Sequence, residues 1–209
     1  MLKTVDYVAL MGEGNPLRRF PELKEAAIEE FAKKSFQDAS LNEILKNAGM
    51  SKGSFYHHFG DKFGLYLSMM ELIVEKKLSF FYPLLQQGLD TNDFFSVLKN
   101  VMRATMEFMM ADTRMYHLSV RLLEESLEFR TRVMSFFAPG SYYEHFSEYV
   151  RRAVENGQVD SRYPSDFVAK VVEIMLANVH KLVPNGDPEE LLHTAEQVVD
   201  FIQFGIANR

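Results

Sequence analysis

The chain has 209 residues, enough for one large domain or two small ones, and 47% of them are hydrophobic, so a packed core rather than disorder is expected. It contains no cysteine, which removes disulfides, thiolate zinc sites and cysteine nucleophiles together and suits a cytoplasmic protein. The formal net charge is −6, but residues 1–66 hold nine Lys/Arg against nine Asp/Glu, so the excess acidity lies entirely in residues 67–209. Residues 1–20 do not read as a signal peptide, and no apolar run approaches the roughly 20 residues of a membrane-spanning helix.

Residues 1–19 read as an irregular extension, with Gly12 to Pro16 as a turn cluster. Arg18 and Arg19 precede the first helix; a frayed terminus is the preferred reading over an arm that reaches DNA. Pro21 suits the first position of a helix. Leu23, Ala27, Phe31 and Phe36 are expected to meet Ile44, Leu45, Phe55 and Phe59 in a three-helix head.

The most informative stretch is Ser40 to Lys62, SLNEILKNAGMSKGSFYHHFGDK. Ser40 and Glu43 have the spacing of a reciprocal capping box. Leu41, Ile44, Leu45 and Ala48 then make one apolar helix face, and Gly49 permits a left-handed exit. Ser51 is placed to cap a second helix from Lys52 to about Phe59. Two short helices joined by so tight a turn form a helix-turn-helix. With Phe55 and Phe59 inward, Lys52, Ser54, Tyr56, His57 and His58 remain for other faces, side chains of the kind that meet phosphates and base edges. On local chemistry alone the same corner equally suits a solvated helix pair in an all-α protein.

The run Ala48-Gly-Met-Ser-Lys-Gly-Ser-Phe-Tyr-His-His-Phe59, followed by Lys62, resembles the DNA-binding signature of the tetracycline-repressor (TetR) family, and AAIEEFAKKSF upstream is similar to that family's first helix. The resemblance covers about the first third of the chain. Ser35 and Leu41 depart from it, standing where the family usually has glycine and often a small polar residue. It implies a DNA face formed by Ser40, Asn42, Lys52, Gly53, Ser54, Tyr56, His57, His58 and Lys62. Asn42, Lys52, Ser54 and His57 fall near bases, and Tyr56, His58 and Lys62 near phosphates.

From Asp61 and Lys62 a long helix is expected to run to Phe81 or Tyr82, with Pro83 ending it, as the mechanical link to a helical body. The body reads as helix after helix: Asp93–Ala111, a helix capped by Asp112, one from a Ser141/Glu144 capping box to Asn156, then Asp166–Val183 before Pro184, and a last one opening at Asp187-Pro188. The fold class expected is therefore all-α, with an extension (1–19), a helix-turn-helix head (20–66) and a larger effector-binding and dimerisation body (67–209).

An enzyme reading finds little support. A carboxylate-bridged di-metal bundle needs two Glu-x-x-His pairs and two further glutamates. The chain offers Glu190 with His193 and only a reversed pair, His145 with Glu148. No phosphate-binding, dinucleotide or nucleophile-elbow motif is present. His117 and His180, in apolar helices, read as hydrogen-bonded core or pocket residues. No catalytic residue, metal site or cofactor is expected.

The resemblance implies a transcriptional regulator, most simply a repressor, with double-stranded operator DNA, a twin chain and a small apolar effector as partners. A TetR-like protein governed by a protein partner is the alternative. The dimer face is expected on the last two long helices, at Val168, Val171, Val172, Met175, Val179, Leu191, Ala195, Val198 and Ile202, because Asp166–Val183 is apolar almost all round. The effector pocket is expected among Met102, Met106, Met109, Tyr116, His117, Arg121, Phe136, Phe137, Tyr142 and Phe146. There methionine adapts to apolar shapes, and Tyr, His or Arg can orient one polar group. The same stripe, without a ligand, would be ordinary core.

Overall fold

The computed structural model describes residues 5–90, 93–137, 142–183 and 188–206, apart from the side chains of 81–82, 85–90, 142–145, 177, 188 and 206. Among the described residues ten α-helices follow one another: α1 (Pro21–Lys33), α2 (Leu41–Asn47), α3 (Lys52–Phe59), α4 (Lys62–Asp90), α5 (Phe94–Ala111), α6 (Thr113–Glu124), α7 (Leu127–Met134), α8 (Tyr142–Glu155), α9 (Ser165–Ala177) and α10 (Pro188–Ile206). No β-strand occurs among the described residues, so the fold is all-α. Two compact units form, one from Met1–Lys76 with Asp112–Ala138, the other from Lys77–Ala111 with Pro139–Arg209.

The first unit is the head and more. Leu23, Ala27 and Phe31 of α1, Ile44 and Leu45 of α2, and Phe55 and Phe59 of α3 are buried together with Leu65 of α4. Phe36, between α1 and α2, lies against Phe31, Phe63 and Tyr66, and against Phe129 of α7 at 4.7 Å. The helices α6 and α7, read from sequence as part of the body, thus pack with the head. Asp112 caps α6 and chelates Arg114, whose guanidinium also reaches Glu25 of α1 at 2.9 Å. Glu125, just after α6, accepts a hydrogen bond from the Phe36 N–H at 2.7 Å.

The amino-terminal extension is not frayed over its described part. Three short 3-10 turns, Val8–Leu10, Gly12–Gly14 and Pro16–Arg19, strap residues 8–19 to α4. Leu10 and Leu17 are buried, the Tyr7 hydroxyl donates to Asp61 at 2.6 Å, and the Gly12 N–H donates to Glu71. Gly60, at φ +74°, has its α-carbon so close under Val5 that any side chain there would collide with it.

In the second unit, Phe94 of α5 stacks on Tyr149 of α8 at 5.1 Å, and Leu98 and Val101 are buried along the same helix. Val168 and Val172 of α9 and Leu191, Ala195, Val199 and Ile202 of α10 complete the core. Two ion pairs, Lys99 with Asp200 and Arg103 with Glu196, tie α5 to α10.

Two helix ends and one capping bond differ from the sequence reading. The helix α4 continues through Pro83 to Asp90. Proline forfeits one hydrogen bond, but its fixed φ is itself helical, so the turns that follow still form. The expected helix to Val183 breaks at Asn178, whose side-chain amide donates back to the Ile174 carbonyl at 2.7 Å, and a 3-10 turn, Val179–Leu182, follows. The Ser40/Glu43 box is half-formed, as described next. The Ser141/Glu144 box and Asp187 lie outside the described residues.

Candidate nucleic-acid interface

The Ser40 side chain caps α2 by accepting from the Glu43 N–H at 3.3 Å. The reciprocal bond does not come from Glu43. Glu30 of α1 takes the Ser40 N–H instead, at 2.7 Å, so the start of α2 is fixed to the preceding helix. Gly49 leaves α2 at φ +64°, and Ser51 caps α3 by accepting from the Ser54 N–H. The register of α3 is then set by burial of Phe55 and Phe59, whose rings stack at 5.5 Å. With those two inward, Lys52, Gly53, Tyr56 and His57 are exposed, and Ser54 and His58 are half-buried; Asn42 of α2 is exposed as well. A methyl group placed on Gly53 would meet nothing, so the backbone there is open to close approach.

His58 and Lys62 play tighter parts than sequence alone suggests. The His58 ring lies 5.0 Å from Phe20. Desolvation, then the charges of His57 and Arg19, push its pKa below the usual histidine value. Lys62 donates to the carbonyls of Gln37 at 3.0 Å and Ala39 at 2.9 Å, and its ammonium sits 4.8 Å above the Phe36 ring. It therefore also holds the turn that leads into α2, besides any phosphate it meets. Burial lowers its pKa, against the pull of Asp38, Glu125 and Glu30.

An amphipathic corner with two capped helices, a buried aromatic spine and an outward row of cation, imidazole and hydroxyl is what a major-groove reader requires. Residues 23–69 match the model of the bacterial regulatory proteins of the tetR family. Over that segment the head resembles the helix-turn-helix region of the tetR family. Two curated relatives over this region are helix-turn-helix regulators. The HTH-type transcriptional regulator YuxN of Bacillus subtilis is 40% identical over 52 residues, 25% of this chain and 18% of that one. The HTH-type transcriptional activator FasR of Mycolicibacterium smegmatis is 31% identical over 97 residues, 46% of this chain and 43% of that one. The matched stretches thus span less than half the length of these relatives. The fold is shared along nearly the whole chain with FadR of Bacillus subtilis, a transcriptional regulator solved in complex with stearoyl-CoA: TM-score 0.70, 15% identity, 90% of this chain and 99% of that one.

The residues read as an effector pocket divide between the two units. Met102, Met106 and Met109 lie on α5 and Phe146 on α8, in the second unit, with Met106 and Phe146 buried. Tyr116, His117 and Arg121 lie on α6 of the first unit, where His117 is exposed and Arg121 pairs with Glu124. Phe136 packs edge-on against Tyr7 and Phe63 in that unit, and Phe137 is half-buried beside it in sequence. The Tyr142 side chain is outside the described residues. Among the described residues no group of three or more His, Cys, Asp or Glu is arranged to hold a metal ion, and no helix is long and apolar enough to cross a membrane.

The dimer residues fare differently. Val168, Val172, Val179, Leu191, Ala195, Val198 and Ile202 are buried within the protomer's own fold, and Val171 and Met175 are half-buried. Among the described side chains, the large apolar ones left exposed on the same two helices are Phe167, Ile174, Phe201 and Phe204. Sequence periodicity found an excess of apolar surface but not which stripe the protomer would use for itself. Glu30 and Phe20 were missed as supports of α2 and α3. Only the Asn15-Pro16 pair, a cap followed by a proline, signals that the chain before Phe20 is ordered.

Proposed function

We propose that the protein is a one-component transcriptional repressor of the cytoplasm, binding operator DNA as a homodimer and released by a largely apolar effector held in its second unit. The observation that carries the DNA half is the outward row Lys52, Gly53, Tyr56 and His57, held in register by the buried pair Phe55 and Phe59. Lys52, Asn42, Ser54 and His57 meet bases, while Tyr56, His58 and Lys62, with the Ser40 cap, meet the backbone. The dimer forms through the uncovered faces of α9 and α10, where Phe201 is 73% and Phe204 81% exposed. Bare aromatic side chains at that density are costly in water and mark an interface.

The effector half draws support from the methionine-rich α5, with half-buried Met102 and Met109, and from the stearoyl-CoA held by the FadR structure that shares this fold. A long acyl chain carrying one polar head group is the ligand class that fits. Effector and DNA oppose each other through two states of the dimer that differ in head spacing.

The test begins with selection of duplex DNA from a random pool by the full-length protein. Enrichment of a two-fold symmetric sequence supports the reading, and recovery of no preferred sequence rejects it. Titration of the selected complex with stearoyl-CoA, against coenzyme A alone, then tests the effector. Release of DNA by the acylated compound only is the expected result, and release by neither overturns the acyl ligand class.

A further inference from the structure

Residues 15–20 lie just before the segment that matches the family, yet they are among the most firmly anchored of the head. Asn15 is only 2% exposed. Its side-chain amide donates to the Ser68 carbonyl at 2.8 Å and to Glu71 at 2.7 Å, and its side-chain oxygen accepts from the Leu17 N–H at 2.9 Å. Pro16 and Leu17 are buried behind it. The 3-10 turn then delivers Phe20 to α3, where its ring meets His58 at 5.0 Å and Phe59 at 6.4 Å. The chain between these two anchors has little freedom.

That short span carries two consecutive arginines with different surroundings. The Arg18 guanidinium is taken up by the Gly12 carbonyl at 3.2 Å and by Glu75 at 2.5 Å, along α4. Arg19 is exposed and has no ion-pair partner among the described residues. Its positive charge bears instead on His58 of the recognition helix, with His57 next to it. Because the next residue, Phe20, is packed on His58, this exposed guanidinium is tethered at the edge of α3, where it can donate to an anion.

We propose that Arg19 is a preset phosphate contact, held at the edge of the recognition face by the Asn15 anchor on one side and the Phe20–His58 contact on the other. The inference rests on the DNA-binding reading above. It differs from the picture of a flexible arm in that the arginine is positioned before DNA binds, so little order is lost on binding. A phosphate contact adds affinity without adding sequence preference.

The experiment is a salt series of equilibrium binding, using the full-length protein with both the selected duplex and a scrambled duplex. Arg19→Gln should reduce the slope of log affinity against log salt by about one per bound protomer, equally on both duplexes, since each phosphate contact contributes about that much. Arg19→Lys should keep the wild-type slope, and Arg18→Gln should keep it too. A wild-type slope for Arg19→Gln overturns the proposal, as does an equal loss in Arg18→Gln, which would reduce the effect to overall charge. Wild-type protein that binds neither duplex at any salt overturns the DNA-binding reading itself, a result distinguishable from failure of Arg19 alone.

Discussion

The Glu30 carboxylate accepts the backbone N–H of Ser40 at 2.7 Å, and the same oxygen takes the Lys34 ammonium at 2.8 Å. One mostly buried carboxylate thus joins the end of α1 to the first residue of the helix-turn-helix.

Replacing Glu30 by Ala should lower stability by about 1–3 kcal/mol, the range for a charge-assisted hydrogen bond left unmade. Burial alone would raise the Glu30 pKa, but Lys34 and the Ser40 N–H outweigh it, and the carboxyl titrates below its ordinary value of 4.5. A depressed folded-state pKa stabilises the fold above the unfolded value and loses that contribution as pH falls through the folded one. The stability gap between wild type and Glu30→Gln, from urea unfolding, should therefore be full at neutral pH and close in acid. A gap that stays constant with pH would assign the effect to shape rather than charge.

On the DNA face, Asn42→Ala and His57→Ala should relax sequence preference at roughly 1–3 kcal/mol for each base no longer read. Tyr56→Ala should weaken binding to every sequence alike. Repeating the random-pool selection with each variant checks this: a broadened consensus is expected for the first two and an unchanged consensus for the third.

Lys62 bonds to two carbonyls of the turn before α2 and lies over Phe36, so Lys62→Met should act on both fold and affinity. Loss of about 1–3 kcal/mol of stability is expected, together with weaker binding of selected and scrambled DNA alike. An unfolding midpoint equal to wild type would show that the two carbonyl bonds contribute nothing net.

The assembly can be tested with two kinds of charge insertion. Phe201→Glu with Phe204→Glu should give a folded monomer by sedimentation, because both side chains stand clear of the protomer's core. Val198→Glu should instead unfold the chain, since that side chain is 8% exposed and a buried, unpaired carboxylate is strongly destabilising. A dimer persisting in the Phe201/Phe204 variant would move the interface elsewhere.

The helix-turn-helix was legible in the sequence because its signals are local. Ser51 caps α3 and Asp112 caps α6 as their positions imply, Gly49 takes the left-handed exit, and Pro21 opens α1. What escaped was long-range. Glu43 has the spacing of a capping partner, yet Glu30, ten residues upstream of Ser40, takes that bond, and no local pattern announces it. Pro83 reads as a stop, although its fixed φ lets α4 run on. A valine on α9 looks the same in sequence whether it faces the protomer's core or its surface, and only the packing of α8 and α10 decides.

The hydrogen bond from Phe36 to Glu125 and the packing of Phe36 on Phe129 join residues about ninety positions apart within the head. A chain emerging from the ribosome carries all of α1, α2 and α3 long before it carries their buttress. The DNA-binding half therefore finishes folding only after α7 has been synthesised, and closing so long a loop is entropically slow. A fragment cut at residue 76 would keep the recognition helix yet leave Phe36, Phe63 and Tyr66 without their cover, so the head is not portable as one continuous piece of sequence.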